Sequence, residues 1–101
     1  MEIEGDTERG EEVKQAHLFI AGVVQGVGYR QFVKSNARKL SLTGWVRNVE
    51  DGGVEAVLQG EQDVIEQLIA LCRKGPFLSE VKQIGFEWEE GEEAFPDFSI
   101  Q

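Results

Sequence analysis

The 101-residue sequence contains one cysteine, one histidine and two prolines. A single cysteine, Cys72, excludes an internal disulfide framework and a paired-cysteine metal site. We expect this thiol to be a buried, unreactive group on a helix. At this length the chain forms one domain, which is large enough to bury a core without disulfides or a metal ion.

Long apolar runs are also missing. No stretch approaches the roughly 20 apolar residues that a membrane-spanning helix needs, and the acidic N-terminal segment lacks the features of a signal peptide. We therefore expect a cytoplasmic protein without a membrane partner.

Acidic residues are absent from one segment of an otherwise acidic chain. The net charge of −9 argues against nucleic acid and anionic membranes as partners. Residues 1–14 carry six acids and two bases, and residues 50–101 carry thirteen acids and three bases. Residues 15–49 have no acid and five bases, namely Arg30, Lys34, Arg38, Lys39 and Arg47. This one positive segment suits a small anionic ligand.

The positive segment contains a strand, a glycine-rich loop and a helix. The apolar run at 17–24 predicts a buried strand, and glycines from Gly22 to Gly28 interrupt it. The spacing of apolar residues then predicts an amphipathic helix at 29–40. Arg30 falls in the first turn of this helix.

Such a loop is suited to binding an anion. The first N–H groups of a helix lack intrahelical partners, and the helix dipole places positive charge beside them. Glycines allow the backbone to form a concavity of N–H groups, and an arginine matches two phosphate or carboxylate oxygens. Arg30 opposes the helix dipole unless an anion binds. A plain connection with Arg30 in solvent remains the alternative.

The remaining predicted elements are, in order, a strand at 43–50, a hairpin turn at Asp51-Gly52-Gly53, a strand at 54–59, a helix at 62–74, and strands at 81–88 and 95–100. Pro96 indicates that the last strand begins at a sheet edge. The order predicts an α+β, ferredoxin-like (split β-α-β) sandwich, with an antiparallel sheet of four to five strands and two helices on one face. We expect residues 1–14 to be a flexible acidic tail and residues 15–101 to be the domain.

This topology brings two parts of the chain together. The first two strands of a split β-α-β unit run parallel with one strand between them, so their C-terminal ends lie at one edge, roughly 9–10 Å apart. Arg47 and Asn48 lie near the end of the second strand. Because side chains alternate between faces, only one of them can face the loop, and we expect Arg47 to be on the opposite face. His17, at the far end of the first strand, is expected to be structural.

Three segments closely resemble the acylphosphatase family. They are Gly22-Val-Val-Gln-Gly-Val-Gly-Tyr-Arg-Gln-Phe32, Gly44-Trp-Val-Arg-Asn48 and Asp51-Gly-Gly-Val-Glu55, and the resemblance covers about residues 17–101. Neither a P-loop nor a dinucleotide fingerprint is present. The resemblance implies a metal-independent hydrolase that converts acyl phosphates to a carboxylate and inorganic phosphate, without a cofactor.

The resemblance also implies the roles of individual residues. Arg30 matches the family's phosphate-binding arginine, and Asn48 matches the asparagine that positions the attacking water. The loop that cradles phosphate, or a similar anion, corresponds to Gln25, Gly26, Val27, Gly28, Tyr29 and Arg30. The sequence departs from the family at two positions: Val23, where a base is common, and Tyr29, where phenylalanine is common.

Two functions without catalysis remain as alternatives. A module that only binds phosphate or a carboxylate metabolite would keep Arg30 but would not need Asn48. An RNA-binding sheet has the same element order, but it needs basic surfaces and paired sheet aromatics. Because the loop with Arg30 and the segment with Asn48 are both present, the sequence favours an enzyme that acts on a small acyl phosphate as a monomer.

Overall fold

The computed structural model describes residues 13–91 and 93–101. Its elements are β1 (Lys14–Val23), α1 (Tyr29–Lys39), β2 (Thr43–Asn48), β3 (Val54–Gly60), α2 (Gln62–Lys74), β4 (Glu80–Glu89) and β5 (Phe98–Ile100). Their order confirms the predicted β-α-β-β-α-β pattern with an additional strand. Strand β1 begins three residues earlier than predicted, and β5 is shorter. Residues 1–12 of the predicted tail lie outside the described residues.

The five strands form a single sheet in the order β4-β1-β3-β2-β5. The β1–β3, β1–β4 and β2–β3 pairs are antiparallel, whereas β2 and β5 pair in parallel. The prediction of an entirely antiparallel sheet is therefore corrected to a mixed sheet. The chain reverses direction after β4, so β5 runs in the same direction as β1 and β2. It pairs with the side of β2 that β3 does not occupy. The predicted edge position of the last strand is confirmed.

Strand β3 separates β1 from β2, and both neighbours run antiparallel to it. The C-terminal ends of β1 and β2 therefore meet at the same edge of the sheet, as predicted. Strand pairing alone brings two parts of the chain to this edge. They are the loop that follows β1 and Asn48, the last residue of β2.

Both helices cover one face of the sheet, where α1 packs on β2 and β5 while α2 packs mainly on β4 and β3. Alternate strand residues such as Leu18, Val46 and Leu58 point into this layer and are fully buried. Cys72 of α2 is also buried in the core. Burial raises the pKa of its thiol to about 12. The predicted position of this thiol, buried on a helix, is confirmed. Within the described residues, no helix is long and apolar enough to cross a membrane.

The opposite face of the sheet, which we call the open face, carries a buried charge at its centre. The carboxylate of Glu55, on β3, accepts hydrogen bonds from His17 of β1 and from Nε of Arg47 of β2, the latter at 2.8 Å. The His17 ring stacks on Phe19 with 4.5 Å between centroids, and the Arg47 guanidinium lies 5.4 Å from the Trp45 ring centroid. Rings and methylene groups thus shield the carboxylate that no helix covers.

Two opposing effects act on the pKa of Glu55. Burial alone raises it, but the hydrogen bonds from His17 and Arg47, together with their charges, outweigh burial and hold the pKa below its ordinary value. The structure therefore places His17 and Arg47 in a bonded network on the open face. The predicted position of Arg47, on the face opposite the loop, is confirmed.

We expect Glu55→Gln to lower the free energy of unfolding near neutral pH but not in acid. The folded pKa lies below the ordinary value of 4.5. The charged carboxylate therefore stabilises the folded protein above that value, and this contribution is lost as pH falls through the folded pKa. Urea unfolding of both proteins between about pH 6 and about pH 3 measures the difference.

Glu87, an exposed neighbour on the same face, provides the control, because Glu87→Gln removes a charge without removing the network. A stability difference for Glu55→Gln that stays constant over the whole pH range would contradict the assignment.

Candidate active site

The loop between β1 and α1 has the conformation of an anion cradle. Gly26 and Gly28 have φ values of 75° and 81°, in the left-handed region that favours glycine. Alternation of left-handed glycines with ordinary residues turns successive N–H groups toward one concavity. A Cβ added at either glycine would meet nothing within 4 Å. A ligand therefore has open space above this backbone.

The loop runs directly into the N-terminus of α1. The carbonyl oxygen of Gly28 accepts the first helical hydrogen bond, from the N–H of Phe32 at 3.0 Å. No side chain caps the helix and no acid lies in its first turn. Within residues 13–91 and 93–101, the N–H groups of residues 25–28 donate to no acceptor. Together with the helix dipole, these unpaired donors form a site for an anion.

Arg30 lies at the same edge of the sheet. Its Nη1 reaches the carbonyl oxygen of Gln101 at 3.4 Å, and the N–H of Gln101 donates to the carbonyl oxygen of Val46 in β2 at 2.8 Å. This chain of contacts places the guanidinium beside the end of β2. No described Asp or Glu side chain forms an ion pair with Arg30.

Asn48 is on the face of the sheet that the loop and helices share. It pairs with Val54, and its side chain falls on the same side as that of Val46, whereas Arg47 points to the open face. The Oδ1 atom of Asn48 is buried, and among the described residues it has no hydrogen-bond partner. An unsatisfied buried acceptor costs about 1–3 kcal/mol.

The side chain of Gln25 binds a neighbouring turn rather than the loop itself. Its Nε2 donates to the carbonyl oxygens of Val49 and Gly53, each at 2.8 Å. The side-chain amide thus binds the β2–β3 turn, and the backbone N–H of Gln25 is the donor left for a ligand. Sequence reasoning missed this contact, because no local pattern identifies two carbonyl partners so far along the chain.

Tyr29 and Val27 also turn their side chains away from the candidate ligand. The Tyr29 ring is buried and its hydroxyl donates to the carbonyl oxygen of Cys72 at 2.8 Å. Burial raises the pKa of this hydroxyl. Val27 packs against the core. Both residues therefore contribute to the cradle through their backbone alone, and the hydroxyl that replaces a phenylalanine hydrogen at position 29 has its own partner.

Two of the five basic residues at 15–49 form ion pairs with carboxylates, so the positive charge of this segment is smaller than its composition suggested. Arg38 pairs with Asp97 at 2.7 Å, and Arg47 pairs with Glu55 at the same distance. The pKa of Asp97 is lowered by the N–H of Phe98 and then by Arg38. Among the described residues, no group of three or more His, Cys, Asp or Glu side chains is placed to hold a metal ion. The electrostatics of the site therefore depend on Arg30 and the loop amides.

The element order and the sheet define a ferredoxin-like α+β domain, with unpaired N–H groups in the loop before α1. A family model described as Acylphosphatase matches residues 16–100. The chain therefore belongs to the acylphosphatase family, which confirms the resemblance seen in the sequence.

Individual relatives agree with this assignment. An acylphosphatase of Nostoc sp. is 46% identical over 78 residues, which cover 77% of this chain and 77% of that protein. One of Roseiflexus sp. is 42% identical over 84 residues, covering 81% of this chain and 90% of that protein. The structure of an acylphosphatase from Coxiella burnetii superposes with a TM-score of 0.84 at 36% identity, covering 88% of this chain and 93% of the other. These findings also confirm the predicted fold class.

We expect Tyr29→Phe to lower stability without lowering the catalytic rate. The variant loses a hydrogen bond between two buried groups, which is worth about 1 kcal/mol, but leaves the backbone cradle unchanged. Urea unfolding and hydrolysis of benzoyl phosphate measure the two effects. A folded variant with wild-type stability and a large loss of kcat would contradict the placement of this side chain in the core.

Proposed function

We propose that this acylphosphatase-family enzyme hydrolyses acyl phosphates at the edge of the sheet where β1 and β2 end. Arg30 and the backbone amides of residues 25–30 bind the phosphoryl group, and Asn48 positions the attacking water. The observation that carries the proposal is the buried Oδ1 of Asn48, which has no partner among the described residues and faces the side of the sheet where the anion loop lies.

Phosphoryl binding is assigned to the loop on the basis of charge and preorganisation. The amides of residues 25–28 have no described acceptor, and Arg30 has no described Asp or Glu partner. Donors that are already in place stabilise the charge that develops on the phosphoryl oxygens in the transition state, at no cost in reorganisation. The guanidinium adds a permanent charge with the geometry of two phosphate oxygens.

Water activation is assigned to Asn48. Its side-chain amide binds a water and orients the water oxygen for in-line attack on phosphorus. A bond forms between that oxygen and phosphorus, the bond from phosphorus to the acyl oxygen breaks, and the carboxylate leaves with the bonding electrons. We propose that a phosphoryl oxygen takes the water proton, because a carboxylate is a good leaving group and a strong protein base is not required. A pH–rate profile that shows an essential protein base would contradict this step.

A phosphate-binding module without catalysis is the weaker alternative. It would use the loop and Arg30 equally well, but it gives no reason for an unpaired buried acceptor at Asn48. We also propose that the enzyme is a cytoplasmic monomer whose domain spans residues 14–101, because Lys14 already belongs to β1. The family match to residues 16–100 supports these bounds, and the loop, Arg30 and Asn48 all come from a single chain.

We expect Arg30→Ala and Asn48→Ala each to lower kcat for benzoyl phosphate by about 10²–10³, for different reasons. Loss of Arg30 also raises the inhibition constant of inorganic phosphate, since the guanidinium binds the anion. Loss of Asn48 leaves that constant nearly unchanged, because the amide acts on water.

Arg47→Ala is the matched control, since Arg47 adjoins Asn48 in sequence but faces the other side of the sheet. We expect it to keep wild-type kcat. A folded wild-type protein that binds phosphate through Arg30 but hydrolyses nothing would make the protein a binding module. Full activity in Asn48→Ala would remove the role given to this residue.

A further inference from the structure

The side-chain amide of Gln25 connects the two halves of the active site. It extends from the phosphate loop and binds the turn that follows Asn48. We propose that Gln25 is a positioning residue, which sets the distance between the bound phosphoryl group and the water held by Asn48. This proposal rests on the proposed function.

The β2–β3 turn offers Gln25 two fixed acceptors. The N–H of Val49 donates to the carbonyl oxygen of Gly53 at 3.0 Å, and the N–H of Gly52 donates to the carbonyl oxygen of Val49 at 3.2 Å. Each carbonyl has a second lone pair, and the amide of Gln25 has two hydrogens. One side chain thus supplies the second bond to both carbonyls, and two bonds fix its direction.

The turn is the rigid partner in this contact. Gly53 is buried, and a Cβ added there would come within 2.7 Å of the carbonyl oxygen of Ile20 in β1. Asp51 also accepts a hydrogen bond from the N–H of Gly53 at 3.0 Å. Because the turn is held against β1 by close backbone packing, the amide of Gln25 brings the loop to the turn rather than the reverse.

The loop has little else to hold it. Its N–H groups at 25–28 donate to no described acceptor. Val24 and Val27 anchor its apolar side in the core. Among the described residues, the two bonds of Gln25 are the hydrogen bonds that join residues 24–28 to a neighbouring strand connection.

The position of the loop relative to β2 matters more for the attack of water on phosphorus than for the binding of phosphate. Phosphate binding uses groups within the loop and the first turn of α1, so it tolerates a small displacement of the whole loop. In-line attack needs phosphorus and the water at Asn48 to be aligned, and a misplacement of about 1 Å can cost about 10²-fold in rate. Removing the amide of Gln25 should therefore lower kcat and spare phosphate binding.

Gln25→Leu removes both donors and keeps the approximate size of the side chain, and Gln25→Met serves if the leucine variant does not fold. We expect kcat for benzoyl phosphate to fall by about 10- to 100-fold, with the inhibition constant of inorganic phosphate unchanged within about 2-fold. Equal loss of kcat and phosphate binding, or no loss of either, would overturn the proposal.

Gln59→Leu is the matched control. Its Nε2 also donates two hydrogen bonds, to Oε1 of Gln15 at 2.8 Å and to the carbonyl oxygen of Glu93 at 2.6 Å. Gln59 lies at the opposite end of β3 from the turn. We expect Gln59→Leu to lower the free energy of unfolding without lowering kcat. A similar loss of kcat in Gln59→Leu would make the effect of Gln25 a general consequence of destabilisation and would overturn the proposal.

A double-mutant cycle separates positioning from other roles. If Gln25 acts through the water at Asn48, then Gln25→Leu should cost little further rate in the Asn48→Ala background. Independent, additive losses would overturn the proposal and leave the proposed function standing. A folded wild-type protein that hydrolyses no acyl phosphate would instead refute the proposed function itself, so the two failures are distinguishable.

Discussion

The active site depends on the position of β3 between two parallel neighbours. Because β1 and β2 both pair with β3 in antiparallel fashion, they end at one edge of the sheet. The anion loop leaves β1 there, and Asn48 ends β2 there. No side chain has to bring the two segments into the same region. Side chains such as that of Gln25 have the smaller task of adjusting the distance between them.

Alternation along β2 then places two polar side chains on opposite faces of the sheet. Asn48 turns toward the helices and the loop, whereas Arg47 turns to the open face and binds Glu55. The buried carboxylate of Glu55 is held by hydrogen bonds from His17 and Arg47. One register thus builds two polar clusters with different roles, and a one-residue slip of β2 would exchange them.

Local signals in the sequence were enough to predict the elements, the glycine loop and the hairpin turn, and the motifs were enough to predict the family. The direction of β5 was not predicted, because it depends on how the chain crosses the finished sheet. The contacts of Gln25 with Gly53, His17 with Glu55 and Tyr29 with Cys72 span 28, 38 and 43 residues. Periodicity reports which face a residue occupies, but it does not report its partner across such distances. The sequence therefore predicted which residues share a face, while the contacts that hold them were not predicted.

We propose that the amides of residues 25–30 and the guanidinium of Arg30 bind the phosphoryl group. Titration of the ¹⁵N-labelled protein with inorganic phosphate, followed by NMR, tests this binding directly. We expect saturable shifts of the backbone amide signals in this loop and of the Nε–H signal of Arg30, while the signals of Arg47 and Glu55 stay in place. Saturable shifts centred on the open face, with the loop signals unmoved, would contradict it.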